Sequence, residues 1–251
     1  MNITCFDFSG IYESLYEGFS REAESPRFLW RETAPSEGNN NIDRYLVECR
    51  EIRGTNAYCD AAAEAELRKR IQAVPEMPAG IHFLDNGNYH YLSALITEKI
   101  TIPYVLVLID HHPDLRAPAF GDVLSCGSWV LRALQTQPLL QCVVMLGVDE
   151  DLLAEELEAS GMQERIVREI PEGLPVYLSI DKDVLSVDEI NTNWDQGEMR
   201  LAELLALMQS IGKAHRVIGV DICGEPAPGA DPTQSAAVNA ALVNAVLSVC
   251  G

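Results

Sequence analysis

Two short stretches of the chain place carboxylates two residues apart at the end of an apolar run. The first is Tyr104 to Asp114, YVLVLIDHHPD, in which Asp110, His112 and Asp114 alternate. The second is Val176 to Asp183, VYLSIDKD, which ends in Asp181 and Asp183. Alternate side chains of an extended segment share a face, so each set is expected to converge on one point just beyond a strand. A third strand-loop leads to His90. Four carboxylates with two imidazoles form a hard, oxygen-rich donor set that suits Mn²⁺ or Fe²⁺, and Zn²⁺ less well, rather than a structural thiolate zinc. Six side chains exceed what one catalytic ion needs while a position stays open. Two ions bridged by carboxylates fit better, and such a pair makes a hydroxide at neutral pH. The chemistry would then be hydrolysis. Either stretch alone has a plainer reading, because Asp and His after a strand are common turn formers and helix caps. The matched spacing of both favours metal.

The elements that must hold these residues alternate regularly. An unbroken apolar run such as 104–109 reads as a strand buried on both faces of a parallel sheet. Strands are expected at Asn2–Phe8, Ile81–Leu84, 104–109, Cys142–Val148, near Ile166, at 176–180 and at Arg216–Ile222. Helices are expected at Cys59–Val74, Tyr89–Lys99, Ser125–Gln135, Glu150–Ser160, Arg200–Ile211 and Thr233–Val249, with Gly161 and Gly212 closing two of them. Residues 18–58 show little periodicity and read as surface loops, and 184–198 as a long loop. Such alternation implies βαβ units, hence an α/β fold of three layers, α/β/α, around a mostly parallel sheet. Open sheets of this kind bind ligands at the carboxyl ends of their strands. No internal repeat or linker divides the 251 residues, so one domain over 1–251 is expected.

The formal charge of −20 argues against nucleic acid or an anionic membrane as partner. It is compatible with a cationic small-molecule substrate, or simply with solubility. Seven cysteines without C-x-x-C or zinc-finger spacing read as reduced thiols. The first residues lack a basic segment followed by an apolar core, and no run approaches membrane length. A soluble, cytoplasmic protein is expected, with homo-oligomer formation left open.

His90 after a Gly-containing turn, Asp110-x-His112-x-Asp114 and Ser179-x-Asp181-x-Asp183 together resemble the three metal motifs of the ureohydrolases, the arginases and agmatinases. The similarity runs from about Gly80 to Pro226. It implies an arginase-like fold with two Mn²⁺ at the strand ends. His90, Asp110, Asp114 and Asp181 would hold one ion, and Asp110, His112, Asp181 and Asp183 the other. Asp114 would also handle the proton of the bridging hydroxide. The implied activity is cleavage of a C–N bond in a guanidino or amidino compound.

The chain departs from that family around the substrate. Cys126, in Ser125-Cys126-Gly127-Ser128, stands where a proton-shuttling His is usual; it reads as its replacement or as a small packing residue. In Asp221-Ile222-Cys223-Gly224-Glu225-Pro226, Gly224 stands at the guanidinium-gripping Glu and Glu225 is displaced by one. Glu225 is either a cation anchor or a solvated loop acid. Arg116 lies near the place that reads the amino-acid end of arginase substrates, and is either a carboxylate binder or a surface residue. Trp194 and Asp195 replace part of a Gly-rich loop and are candidates for the pocket mouth. His111 reads as a packing residue beside the ligands, and His82 and His215 as strand packing. Two rivals remain beside the two-manganese hydrolase. One is an amide hydrolase of the deacetylase type with a single zinc; the other is a metal-binding protein of this fold without activity.

Overall fold

The computed structural model describes residues 1–12, 42–227, 230–231 and 233–249. In chain order its strands and α-helices are β1 (Asn2–Asp7), β2 (Asp43–Glu48), β3 (Tyr58–Cys59), α1 (Ala61–Ala73), β4 (Ile81–Phe83), α2 (Leu92–Thr97), β5 (Tyr104–Ile109), β6 (Leu124–Ser125), α3 (Trp129–Thr136), β7 (Leu140–Leu146), α4 (Glu150–Ser160), β8 (Ile166–Val167), β9 (Val176–Asp181), α5 (Leu201–Ala214), β10 (Val217–Cys223) and α6 (Thr233–Val249). Eight strands form one sheet in the order β2-β1-β4-β10-β9-β5-β7-β8. Every pairing within it is parallel.

The central strands are buried on both faces, which explains their unbroken apolar runs. Along β5, Tyr104, Leu106 and Leu108 enter one core with residues of α1, α2 and α3. Val105, Val107 and Ile109 enter the other, with residues of α5 and α6. Leu153 and Leu157 of α4 pack against the first core. The result is the expected α/β/α layering. Burying the six apolar side chains of β5 is worth on the order of 10 kcal/mol before chain entropy is charged against it. No helix among the described residues is long and apolar enough to cross a membrane.

Topology puts the chemistry in the middle of the sheet. The last strand, β10, inserts between β4 and β9, pairing Ile222 with Phe83 and Cys223 with Asp181. On the far side of β9, Ile180 pairs with Ile109 of β5. The carboxyl ends of β4, β10, β9 and β5 therefore stand side by side.

Several expectations need correction. Residues 43–48, read as loop, form edge strand β2; its Tyr45 and Val47 enter one core and Leu46 the other, so six residues carry no polar alternation to betray them. Residues 18–41 of that expected loop lie outside the described residues. Gly212 does not close a helix, because α5 continues to Ala214. A Cβ there would stand 2.3 Å from Cβ of Val249, so the glycine is a contact point between α5 and α6. His215 caps α5 rather than packing a strand. The small antiparallel pair β3-β6 was not expected.

Gly219 in β10 has a similar role. A Cβ there would lie 2.2 Å from the Pro78 carbonyl oxygen and 2.5 Å from the Tyr177 ring. The backbone neighbour cannot rotate away, so Gly219→Ala is expected to cost about 2–3 kcal/mol by overpacking. The urea midpoint measures it, and an unchanged midpoint would show that β10 can shift.

Candidate metal centre

Asp181 is the last, extended residue of β9, whereas the other expected ligands lie beyond strand ends in turns. β5 ends at Ile109, after which the backbone bends, and Asp114 is left-handed with φ 52°. Asp183 lies in a short 3-10 turn, Lys182–Val184, capped by the Asp181 side chain. The convergence inferred from strand alternation is thus produced by turns. Asp110 Oδ1 accepts from His112 N at 2.7 Å, and Asp181 Oδ1 from Asp183 N at 3.0 Å. These Asx-type bonds fold each D-x-[HD] segment back on itself. His90 follows a 3-10 turn, Gly87–Tyr89, capped by Asn86.

The side chains form two groups that share Asp110. His90 Nδ1 faces Asp110 Oδ2 at 3.2 Å, Asp114 Oδ2 at 3.3 Å and Asp181 Oδ2 at 3.5 Å. His112 Nδ1 faces Asp183 Oδ2 at 3.0 Å and Asp110 Oδ1 at 3.7 Å. Ligand atoms of His90, Asp110 and Asp114 lie within 4.8 Å of one another, as do those of Asp110, His112 and Asp183. Asp181 groups with His90 and with Cys223, a residue that the sequence reading passed over.

The donors fit a pair of divalent cations. Asp110 Oδ2 is buried and receives no aligned hydrogen bond, although a lone buried carboxylate oxygen is costly. Both imidazoles turn Nδ1 inward and have Nε2 tied outside, His90 to Ser179 Oγ at 2.9 Å and His112 to Asp195 Oδ1 at 3.3 Å. Metal-ligating histidines are commonly held this way. Trp129, also passed over, donates Nε1 to Asp114 Oδ2 at 2.6 Å and sets its ring 4.9 Å from that of His90. A buried indole N–H needs an acceptor, and a Trp at a helix start shortly after D-x-H-x-D was the available signal.

Electrostatics point the same way. Burial and the charge of Asp110 push the Asp114 carboxyl up to about 7. Burial, with Asp181 and Asp110 beside it, drives Asp183 well above the usual range, and Asp181 is raised by burial and Asp110. Burial opposes charge on both histidines, but the surrounding carboxylates outweigh it: His112 is pushed up to about 12 and His90 is raised strongly. Asp110 is lowered by the two imidazoles, against its own burial. Two imidazoliums cannot neutralise four carboxylates.

Around these groups lies a cleft lined also by Arg116, Cys126, Glu156 and Trp194. Cys126 opens a short 3-10 helix ahead of α3, and burial and Asp114 push its thiol up to about 12. Arg116 Nε bonds Glu156 Oε1 at 2.7 Å, leaving the Arg116 side chain 64% exposed at the mouth. Glu156 is buried, and its other oxygen accepts from Leu115 N at 2.9 Å. Trp194 Nε1 donates to Asn88 Oδ1 at 2.9 Å.

Glu225 is neither of the things expected of it. It is fully buried and ion-paired with Lys182 Nζ at 2.9 Å, beside Ser235 and Asn239 of α6, and it does not line the cleft. A buried carboxylate keeps its charge when a cation and hydrogen bonds surround it, and Lys182, between two candidate ligands, supplies that cation. His82, by contrast, does pack within its strand, Nδ1 lying 3.1 Å from both Tyr177 Oη and Asp221 Oδ1.

The structure is thus a parallel α/β/α sheet with carboxylates and imidazoles gathered at adjacent strand ends. The arginase family model matches residues 88–248, and the chain belongs to that family. It is 38% identical over 149 residues to an uncharacterized protein of Thermotoga maritima, a match spanning 59% of each chain. Among solved structures of this fold are proclavaminate amidino hydrolase from Streptomyces clavuligerus and arginase from Medicago truncatula. The first superposes with TM-score 0.67 at 16% identity, covering 99% of this chain and 90% of that one. The second also gives 0.67 at 16% identity, covering 99% and 86%.

The charge imbalance has a measurable consequence. Asp114, with a folded pKa near 7 against an ordinary 3.8, takes up a proton on folding, and Asp181 and Asp183 do so too. The native state then binds more protons than the unfolded one, so the stability of metal-free protein falls as pH rises from about 4 to about 7. Above about 6.5 the raised histidines continue the fall with the same sign, while Asp110 acts oppositely only at lower pH. The urea midpoint of chelator-treated protein should drop across this window, and Mn²⁺ should abolish the drop. A flat profile without metal would contradict the charge assignment.

Proposed function

We propose that this chain is a metal-dependent hydrolase cleaving a C–N bond of a guanidino or amidino compound, with two divalent ions, manganese by family likeness. The observation that carries the reading is the shared Asp110, whose unpartnered buried oxygen faces His90 while its other oxygen faces His112. His90, Asp110, Asp114 and Asp181 would hold one ion; Asp110, His112, Asp181 and Asp183 the other. When bound, the ions supply a water acidic enough to ionise at neutral pH and a Lewis acid for the substrate.

The chain's own residues do the rest. Trp129 occupies Asp114 Oδ2, so the proton from the attacking water is taken at Oδ1. Cys126, a thiol that keeps its proton, contacts the leaving nitrogen or returns a proton to it. Arg116, steadied by Glu156, offers its exposed guanidinium edge to a carboxylate on the substrate. Trp194 walls the mouth, where an aromatic face attracts a planar cation. The names of two neighbours in fold, an amidino hydrolase and an arginase, support the bond type. The full six-donor set speaks against a single zinc, and the reading treats residues 1–251 as one catalytic unit.

Metal analysis combined with a urea and ammonia release screen over guanidino and amidino compounds tests the reading. About two ions per chain and turnover of one compound are expected; one zinc, or no turnover of any compound, would return the rival readings. Asp110→Asn should lose both ions and lower turnover by more than about 100-fold, beyond the loss usual for a residue that only orients a ligand. Because Gly224 replaces the guanidinium-gripping Glu, L-arginine and agmatine should be turned over far below the common ~10 per second.

Cys126 is tested separately, with the substrate found in that screen. Cys126→Ser should retain both ions and lose about 10²-fold or more in kcat, the range of a general acid, with Cys126→His recovering part of it. Wild-type kcat in the Ser variant would make the thiol a packing residue.

A further inference from the structure

We propose that Cys223 is a sulfur ligand to the ion held by His90 and Asp181, which makes the two metal positions chemically unequal. The proposal rests on the two-ion reading above and adds a donor to it. Cys223 ends β10 and is paired in register with Asp181, so its side chain leaves the sheet where that carboxylate does. The residue is fully buried. Its Sγ, a His90 nitrogen and an Asp181 oxygen lie within 4.8 Å of one another, as do ligand atoms of His90, Asp110 and Asp114. Among the described residues no other cysteine belongs to such a group, including Cys126 at the cleft.

Two further observations favour a ligand at this point. The unpartnered buried Oδ2 of Asp110 faces the same imidazole, 3.2 Å from Nδ1. The thiol itself is in use only as a donor to the Asn86 carbonyl, 3.3 Å away. That carbonyl also accepts from Tyr89 N at 3.0 Å, so loss of the S–H leaves no buried acceptor unpaired. On binding, the thiol proton passes to solvent water as the sulfur–metal bond forms.

Sulfur changes which cation the position prefers. Thiolate is a soft donor that selects zinc and its borderline neighbours, whereas carboxylate and carbonyl oxygen suit manganese. The position of His112 and Asp183 has no sulfur within reach among the described residues. An N, O, S position beside an N, O position would take two different metals from a mixture, zinc, cobalt or ferrous iron at the first and manganese at the second.

The test is cobalt substitution of chelator-treated protein, read by absorption. Wild type is expected to show the ligand-field bands of bound Co²⁺ together with a near-ultraviolet sulfur-to-cobalt charge-transfer band. That band should be lost in Cys223→Ser and kept in Cys126→Ser. X-ray absorption at the cobalt edge of wild type should show a sulfur neighbour at about 2.3 Å, the usual distance to thiolate, a measurement that needs no variant to fold. Cobalt bound with no sulfur band and no sulfur scatterer overturns the proposal and leaves the two-ion reading standing. A band that survives in Cys223→Ser, or disappears in Cys126→Ser, overturns it too. Failure to bind cobalt at all removes the metal reading and this ligand with it.

Discussion

Mutual repulsion of four buried carboxylates is the constraint on which this structure turns. At separations of a few ångströms and away from water, like charges cost several kcal/mol per pair. Asp110, Asp114, Asp181 and Asp183 are nonetheless brought together at the strand ends, each buried. The surrounding structure reads as a response to that cost. Trp129 donates to one carboxylate, and the backbone N–H groups of His111, His112 and Asp183 donate to the others. Two imidazoles stand between the pairs. The nearest buried ammonium, Lys182, pairs with Glu225 and leaves the imbalance in place. A site arranged so is stable with cations and uneasy without them.

The sequence was most legible where burial leaves no choice of residue. The runs of β5 and β9 declared a parallel sheet because both faces are covered. The fold gathers the six candidate donors, which stood out by type and spacing. Their geometry did not: alternation suggested extended chain, and the fold uses an Asx bend, a left-handed Asp114 and a 3-10 turn. Edge strand β2 was lost because its apolar run is only Tyr45-Leu46-Val47, covered on both faces and so without alternation. Cys223 and Trp129 were missed because an apolar thiol at a strand end and an indole at a helix start look like packing until their neighbours are known. Glu225 was misread for a related reason. A loop acid usually finds water, and only topology reveals that β10 delivers this one beneath the β9 turn and against α6.

The cleft wall around the candidate donors draws on several parts of the chain. Glu156 comes from α4 and binds Arg116, so the mouth carries a neutral ion pair with one exposed cationic edge. Trp194 and Asp195 come from the long loop before α5, and Asp195 also steadies His112. On the proposed reading, side chains at the mouth therefore also steady candidate metal ligands. Specificity and metal affinity would then be coupled through these shared residues.

The backbone at Gly224 sets a limit on how this lineage can be redirected. Its φ is 86°, and a Cβ there would stand 2.3 Å from Asp181 Oδ1 and 2.8 Å from Lys182 N. Any side chain would need a conformation that L-residues avoid and would collide with a candidate ligand. Neighbouring Glu225 cannot swing up to compensate, since removing it strands a buried lysine at a cost of about 3–5 kcal/mol. A glutamate at this position is thus closed to single replacement. New specificities enter more easily at the mouth, where the Arg116 side chain is 64% exposed.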